Sequence, residues 1–67
     1  MSYVPRSILA TRILAKLRRA SGPLTATQIA RALHTSKQAV RYHLEAMESG
    51  GVVVRDGVKY AINRSEA

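Results

Sequence analysis

The stretch Thr25-Ala26-Thr27-Gln28-Ile29-Ala30-Arg31-Ala32-Leu33-His34-Thr35-Ser36-Lys37-Gln38-Ala39-Val40-Arg41-Tyr42-His43-Leu44 decides the architecture of this chain. Thr25 and Gln28 stand at capping-box spacing, so a helix is expected to open there. Ile29, Ala30 and Leu33 then form a short apolar stripe, and the helix is expected to run to about Leu33. A second helix opens after His34, capped either by Ser36 or by Thr35 with Gln38 reciprocating. Its inward face is Val40, Leu44 and Met47, and Gly50-Gly51 ends it, because glycine takes the left-handed conformation cheaply. Ala30 is small and lies near the end of its helix, ten residues before the branched Val40. That pairing permits the close approach of two short helices joined by a turn of two or three residues.

Upstream, Leu9, Ala10, Ile13, Leu14, Leu17 and Ala20 line one side of a helix expected over 7–20, with Arg12, Lys16 and Arg19 on the other. Ser7 can cap it, and Ser21-Gly22-Pro23 stops it. Ile8 and Ala15 fall on the basic face, either as a small dimer contact or as apolar atoms left in water. Downstream, Val52-Val53-Val54-Arg55-Asp56-Gly57-Val58-Lys59-Tyr60-Ala61-Ile62 is β-branched and aromatic on both sides of Asp-Gly, a hairpin signal. An Asp56-Gly57 loop sets Arg55 opposite Val58 and Val53 opposite Tyr60. Val53, Val58, Tyr60 and Ile62 then face the core, and Val54, Lys59 and Ala61 face away. A hairpin alone is marginal in water, so it must lie on the helices, with Leu24 available as a short third strand. The expected class is mainly α with a small β-hairpin (α+β), in the order helix, helix, helix, strand, strand. This is a three-helix winged helix-turn-helix over 7–62, with an N-terminal arm at 1–6 and a C-terminal tail at 63–67.

Composition bounds the function. A chain of 67 residues buries only about 60% of its unfolded surface, enough for one small domain and too little for a two-domain enzyme. It contains no cysteine, so neither disulfides nor a thiolate zinc site can staple it. Eleven Lys and Arg against four Asp and Glu give a net charge of +7, and no acid occurs before Glu45. Such asymmetry points to a polyanion, with nucleic acid first and an anionic membrane surface second. No apolar run approaches the roughly 20 residues that span a bilayer. The start, Met1-Ser2-Tyr3-Val4-Pro5-Arg6, reads as lacking a secretory segment, so a cytoplasmic, nucleoid-associated protein is expected.

Ile29-Ala30-Arg31-Ala32-Leu33, then Thr35 to Leu44, then Glu45-Ala46-Met47-Glu48-Ser49-Gly50-Gly51-Val52-Val53, resembles the winged helix-turn-helix of bacterial and archaeal transcription regulators. The arsenic-repressor-like and multiple-antibiotic-resistance-regulator-like groups are the most similar. The resemblance covers 7–62 and is most specific from Val40 to Val52. It implies a double-stranded DNA-binding module whose third helix, 36–49, enters the major groove while the wing, 52–62, touches backbone or minor groove. His34 stands where those families often carry glycine, the wing is short, and no effector or metal segment follows.

The wheel of the third helix turns Gln38, Arg41, Tyr42 and Glu45 away from the core, with Ser36 and Lys37 exposed at its start. Arg41 can donate two hydrogen bonds to guanine and Gln38 can pair with adenine. Thr35, Ser36 and Lys37 suit phosphate. Tyr42 can stack on a sugar or bond a phosphate, and Arg55 and Lys59 flank the wing tip. Glu45 and Glu48 should mark the edge of the contact. One small domain reads too few base pairs for genomic selectivity, so a homodimer or a larger protein partner is expected.

Other classes fit less well. His34 and His43 are nine residues apart with no acid cluster, which is poor spacing for a metal, and no cofactor is implied. No nucleophile has an identifiable base and no glycine-rich phosphate loop occurs, so neither catalysis nor a small-molecule ligand is expected. Single-strand or RNA binding wants stacking aromatics, and the three aromatics are all tyrosines. The chief rival is a winged-helix adaptor within a nucleic-acid-associated assembly, which would show an apolar patch and a near-neutral third helix.

Overall fold

The order of elements in the computed structural model, which describes residues 3–64, is α1 Ile8–Arg19, β1 Leu24–Thr25, α2 Ala26–Leu33, α3 Lys37–Ser49, β2 Val53–Asp56 and β3 Lys59–Ile62. The three helices and the antiparallel sheet make a winged helix-turn-helix of the α+β class. Parts of the arm and tail expected at 1–6 and 63–67 lie outside the described residues.

Each helix starts where a hydroxyl can satisfy its free amides. Ser7 Oγ accepts from Ala10 N at 3.0 Å. Thr25 and Gln28 form the full capping box: Thr25 Oγ1 accepts from Gln28 N at 3.1 Å, and Gln28 Oε1 accepts from Thr25 N at 2.8 Å. Of the two caps open for α3, Ser36 takes the role and accepts from Ala39 N at 3.1 Å. Such a cap contributes about 1 kcal/mol. α1 stops one residue short of the expected end, because Ala20 has extended backbone.

α2 and α3 end alike. Just past each helix a residue turns left-handed, directly after α2 and one residue further on after α3, where Gly50 is still right-handed, and two amides close back on the last turn, a Schellman motif. After α3 the left-handed residue is Gly51 (φ 80), with Gly51 N donating to Glu48 O and Val52 N to Met47 O. After α2 it is His34 (φ 56, ψ 49), with His34 N donating to Arg31 O and Thr35 N to Ala30 O. A Cβ there costs roughly 1–2 kcal/mol. His34 thus makes the sharp turn that sets α3 against α2.

The sheet order is β1-β3-β2, with Leu24 opposite Tyr60 and Thr25 opposite Lys59. The wing register differs from the expected one. Val53 pairs with Ile62, Val54 with Ala61, Arg55 with Tyr60 and Asp56 with Lys59, so the turn is Gly57-Val58, not Asp56-Gly57. Gly57 alone of the two has positive φ, at 66°, which is the type II′ pattern with glycine first. The lock is at the other end, where Asn63 N donates to Val52 O and Asn63 Nδ2 to Gly51 O, both at 2.9 Å. Adding this pair slides β3 along β2 without exchanging faces. Val53 and Tyr60 are buried and Ile62 half-buried, as expected, but Val58 leaves the core face for the turn and is 73% exposed.

The core is Ala10, Ile13, Leu14 and Leu17 of α1, Ala26, Ile29 and Ala30 of α2, and Val40, Leu44 and Met47 of α3, closed by Val53 and Tyr60. No polar or charged side chain is buried among the described residues. Each large apolar side chain there contributes about 1.5–3 kcal/mol. Tyr3, within the stretch expected as an arm, also packs against this core.

Candidate nucleic-acid interface

With Val40, Leu44 and Met47 fixed inward, the rest of α3 divides at 100° per residue into a crest and two flanks. Gln38, Tyr42 and Glu45 are exposed on the crest. Lys37 and Arg41 form the flank toward the wing and His43 the flank toward Tyr3, beside a hollow that Tyr42 also borders from the crest.

On the wing side a groove of about 400 Å³ runs between α3 and the sheet. Lys37 and Arg41 form one wall, Arg55 and the Gly57-Val58 turn the other, and Thr25, Thr27 and Tyr60 close the end. Three cations expected at the interface, Lys37, Arg41 and Arg55, therefore share one concave surface. Two hold acids. Arg41 Nη2 is 4.0 Å from Glu45 Oε2 one turn on, and Arg55 Nε is 3.7 Å from Glu48 Oε1, while Arg55 Nη1 also donates to Gly57 O at 3.2 Å. Glu48 therefore faces the wing.

The remaining site residues are dispersed. Tyr42 is 72% exposed on the side of the crest away from the wing, its ring edge-on to His43 with centroids 5.4 Å apart. It lines a hollow with Tyr3, Val4 and Arg6. Lys59 and Asp56 sit on the face of the sheet opposite Arg55, so the two basic wing residues do not act on one surface. Ser36 is exposed at the start of α3, and Thr35 is half-buried in the turn. His34 and His43 each have a structural place, in the left-handed turn and beside Tyr42.

Sequence reasoning missed Thr27. The signal was present: once Leu24-Thr25 joins β3, the start of α2 is drawn beside the wing, and the second residue of α2 must border the groove.

A helix next to a short turn, a second helix with an exposed crest and a basic flank, and a wing beside it form the geometry of a DNA-binding module. Among known proteins, the helix-turn-helix domain family matches residues 10–56, from the first buried residue of α1 to the end of β2. No curated protein and no solved structure matches the chain. No helix among the described residues is long and apolar enough to cross a membrane. With the match covering most of its length, the chain belongs to the helix-turn-helix domain family, and DNA is the partner that membership supports.

Proposed function

We propose that this protein binds double-stranded DNA as a transcription regulator, with α3 in the major groove and the wing on backbone or minor groove. The observation that carries the proposal is the groove that gathers Lys37, Arg41 and Arg55 beside the exposed Gln38. In this reading Gln38, on the crest, pairs with adenine, and Arg41 swings from Glu45 to a guanine edge. Lys37, Ser36, Thr35 and Arg55 hold phosphates, Lys59 meets the backbone from the far face of the wing, and Tyr42 bonds a sugar or phosphate at the opposite edge. The domain is 7–62, with 1–6 and 63–67 as arm and tail. The order of elements supports kinship with the arsenic-repressor-like and multiple-antibiotic-resistance-regulator-like groups. Two copies, or a larger partner, supply the selectivity one domain lacks. Work on DNA would place the protein with the nucleoid in the cytoplasm.

Fluorescence anisotropy with duplex DNA tests this. Log affinity should fall with log salt at about −0.9 per phosphate neutralised. Arg41→Ala should lose about 1–3 kcal/mol of discrimination between cognate and random duplex, while Lys37→Ala weakens both alike. Absence of duplex binding at low salt overturns the proposal. A second reading, the protein-interaction adaptor, is favoured by two observations: Val4 and Tyr42 leave apolar surface around the hollow on the far flank of α3, and α3 itself is neutral, with Lys37 and Arg41 against Glu45 and Glu48.

A further inference from the structure

The charge of the chain is not where the reading face is. From Lys37 to Ile62, which holds α3 and the wing, Lys37, Arg41, Arg55 and Lys59 oppose Glu45, Glu48 and Asp56, a net of +1 out of the total +7. The remaining +6 lies elsewhere, and α1 alone carries Arg12, Lys16, Arg18 and Arg19 with no acid. Ala10, Ile13, Leu14 and Leu17 point α1 into the core, so Arg12, Lys16 and Arg19 are exposed on the side of the helix away from it. These three line a shallow groove of about 240 Å³ with Ala15 and with Leu33 from the end of α2. That groove shares no residue with the groove between α3 and the wing.

Two of the cations at the wing groove hold carboxylates, and no ion pair is found on α1 among the described residues. Arg12 with Lys16, and Lys16 with Arg19, are like-charge neighbours at spacings of four and three, each costing a helix about 0.2–0.5 kcal/mol. The helix dipole offsets this for Lys16, Arg18 and Arg19 in the last turn but not for Arg12. A face that repels itself is relieved by a polyanion. Arg12 to Arg19 spans about 10 Å of helix axis at 1.5 Å per residue, a length over which duplex DNA presents about six phosphate charges.

We infer that the outer face of α1 is a second DNA-binding surface, which takes the phosphate backbone of a second duplex without reading its sequence. One domain would thereby hold two DNA segments together. The inference rests on the DNA-binding reading for the first duplex, but the surface itself stands on α1 alone.

Amide chemical shifts of the whole chain, followed while a short duplex is added at low salt, test it. Two sets of shifts are expected. Residues of α3 and the wing move first, and Arg12, Lys16 and Arg19 move in a second step that needs further duplex. With three phosphate contacts, the second step should weaken about 40-fold between 50 and 200 mM salt. The triple variant Arg12→Gln, Lys16→Gln, Arg19→Gln should keep the first set and lose the second, and its spectrum reports at once whether it is folded. Shifts confined to α3 and the wing through excess duplex overturn this inference and leave the DNA-binding reading standing. Shifts confined to α1 overturn the reading of α3 and the wing, and with it the bridging of two duplexes, and leave α1 as a DNA-binding surface by itself. Anionic vesicles that move the α1 amides when duplex does not would overturn it in favour of a membrane surface.

Discussion

Glu48, three turns along α3, places its carboxylate 3.7 Å from the Arg55 guanidinium on β2 and so ties the wing to the helix that it flanks. Both side chains are about half exposed, so the pair adds at most about 1 kcal/mol to the fold. Its larger effect is on charge: a cation lining the groove is partly neutralised from inside the protein. Glu48→Gln should leave thermal stability almost unchanged, raise affinity for random duplex, and steepen the salt dependence by about 0.9, the value of one more phosphate contact. Anisotropy over a salt series reads both, and unchanged or weaker binding would sink the idea that Glu48 restrains Arg55.

The turn between α2 and α3 predicts a stabilising change. His34 sits at φ 56, where a side chain is strained. His34→Gly should stabilise the domain by about 1 kcal/mol, less a few tenths for the freer unfolded chain. In a domain of this size that net gain raises Tm by about 3–6 °C. Thermal unfolding by circular dichroism checks it, and a lower Tm would mean that the imidazole makes a compensating contact.

Thr25→Ala removes one half of the capping box of α2 and should cost about 1 kcal/mol. Because Thr25 is also paired with Lys59 in the sheet, the loss should reach the wing. Amide exchange in β3 should rise along with that at the start of α2. Protection of β3 that is unaltered by Thr25→Ala would show the two elements to be uncoupled.

Gly50 is where the start of the chain meets the end of α3. A Cβ on Gly50 would stand 2.8 Å from Tyr3 Cβ, closer than two such atoms can come. Gly50→Ala should therefore displace Tyr3 from the core edge, seen as a change in the Tyr3 and Tyr42 ring resonances, with a modest fall in Tm. Unchanged Tyr3 resonances would place the steric relief elsewhere.

Much of this fold is legible in the sequence because its signals are local. Ser7, Thr25 and Ser36 stand directly before apolar stripes, and capping needs only a hydroxyl within three residues. The wing was legible as a hairpin but not in its register. Asp-Gly favours a two-residue turn at 56–57, yet the alignment is fixed six residues away, where Asn63 bonds Val52 and Gly51. A local turn preference yields to that tertiary pairing. The site was half legible: helical period identifies which α3 residues are outward, but only packing tells that Arg41 faces the wing and Tyr42 the chain start. Thr27, and the acids held by Arg41 and Arg55, depend on contacts between elements that periodicity does not contain.

The Asn63 lock also bears on how the wing behaves as a mechanical part. Asn63, Val52 and the buried Val53 clamp the sheet at its root, while Asp56 to Lys59 at the other end are all exposed. The wing is thus held at its root by Asn63 and again near its tip, by Thr25 of β1 beside Lys59 and by Glu48 on Arg55, and only the Gly57-Val58 turn projects beyond these ties. A wing braced at both ends moves with α2 and α3 as one piece, so it would present its turn to a duplex at an angle that the helices set.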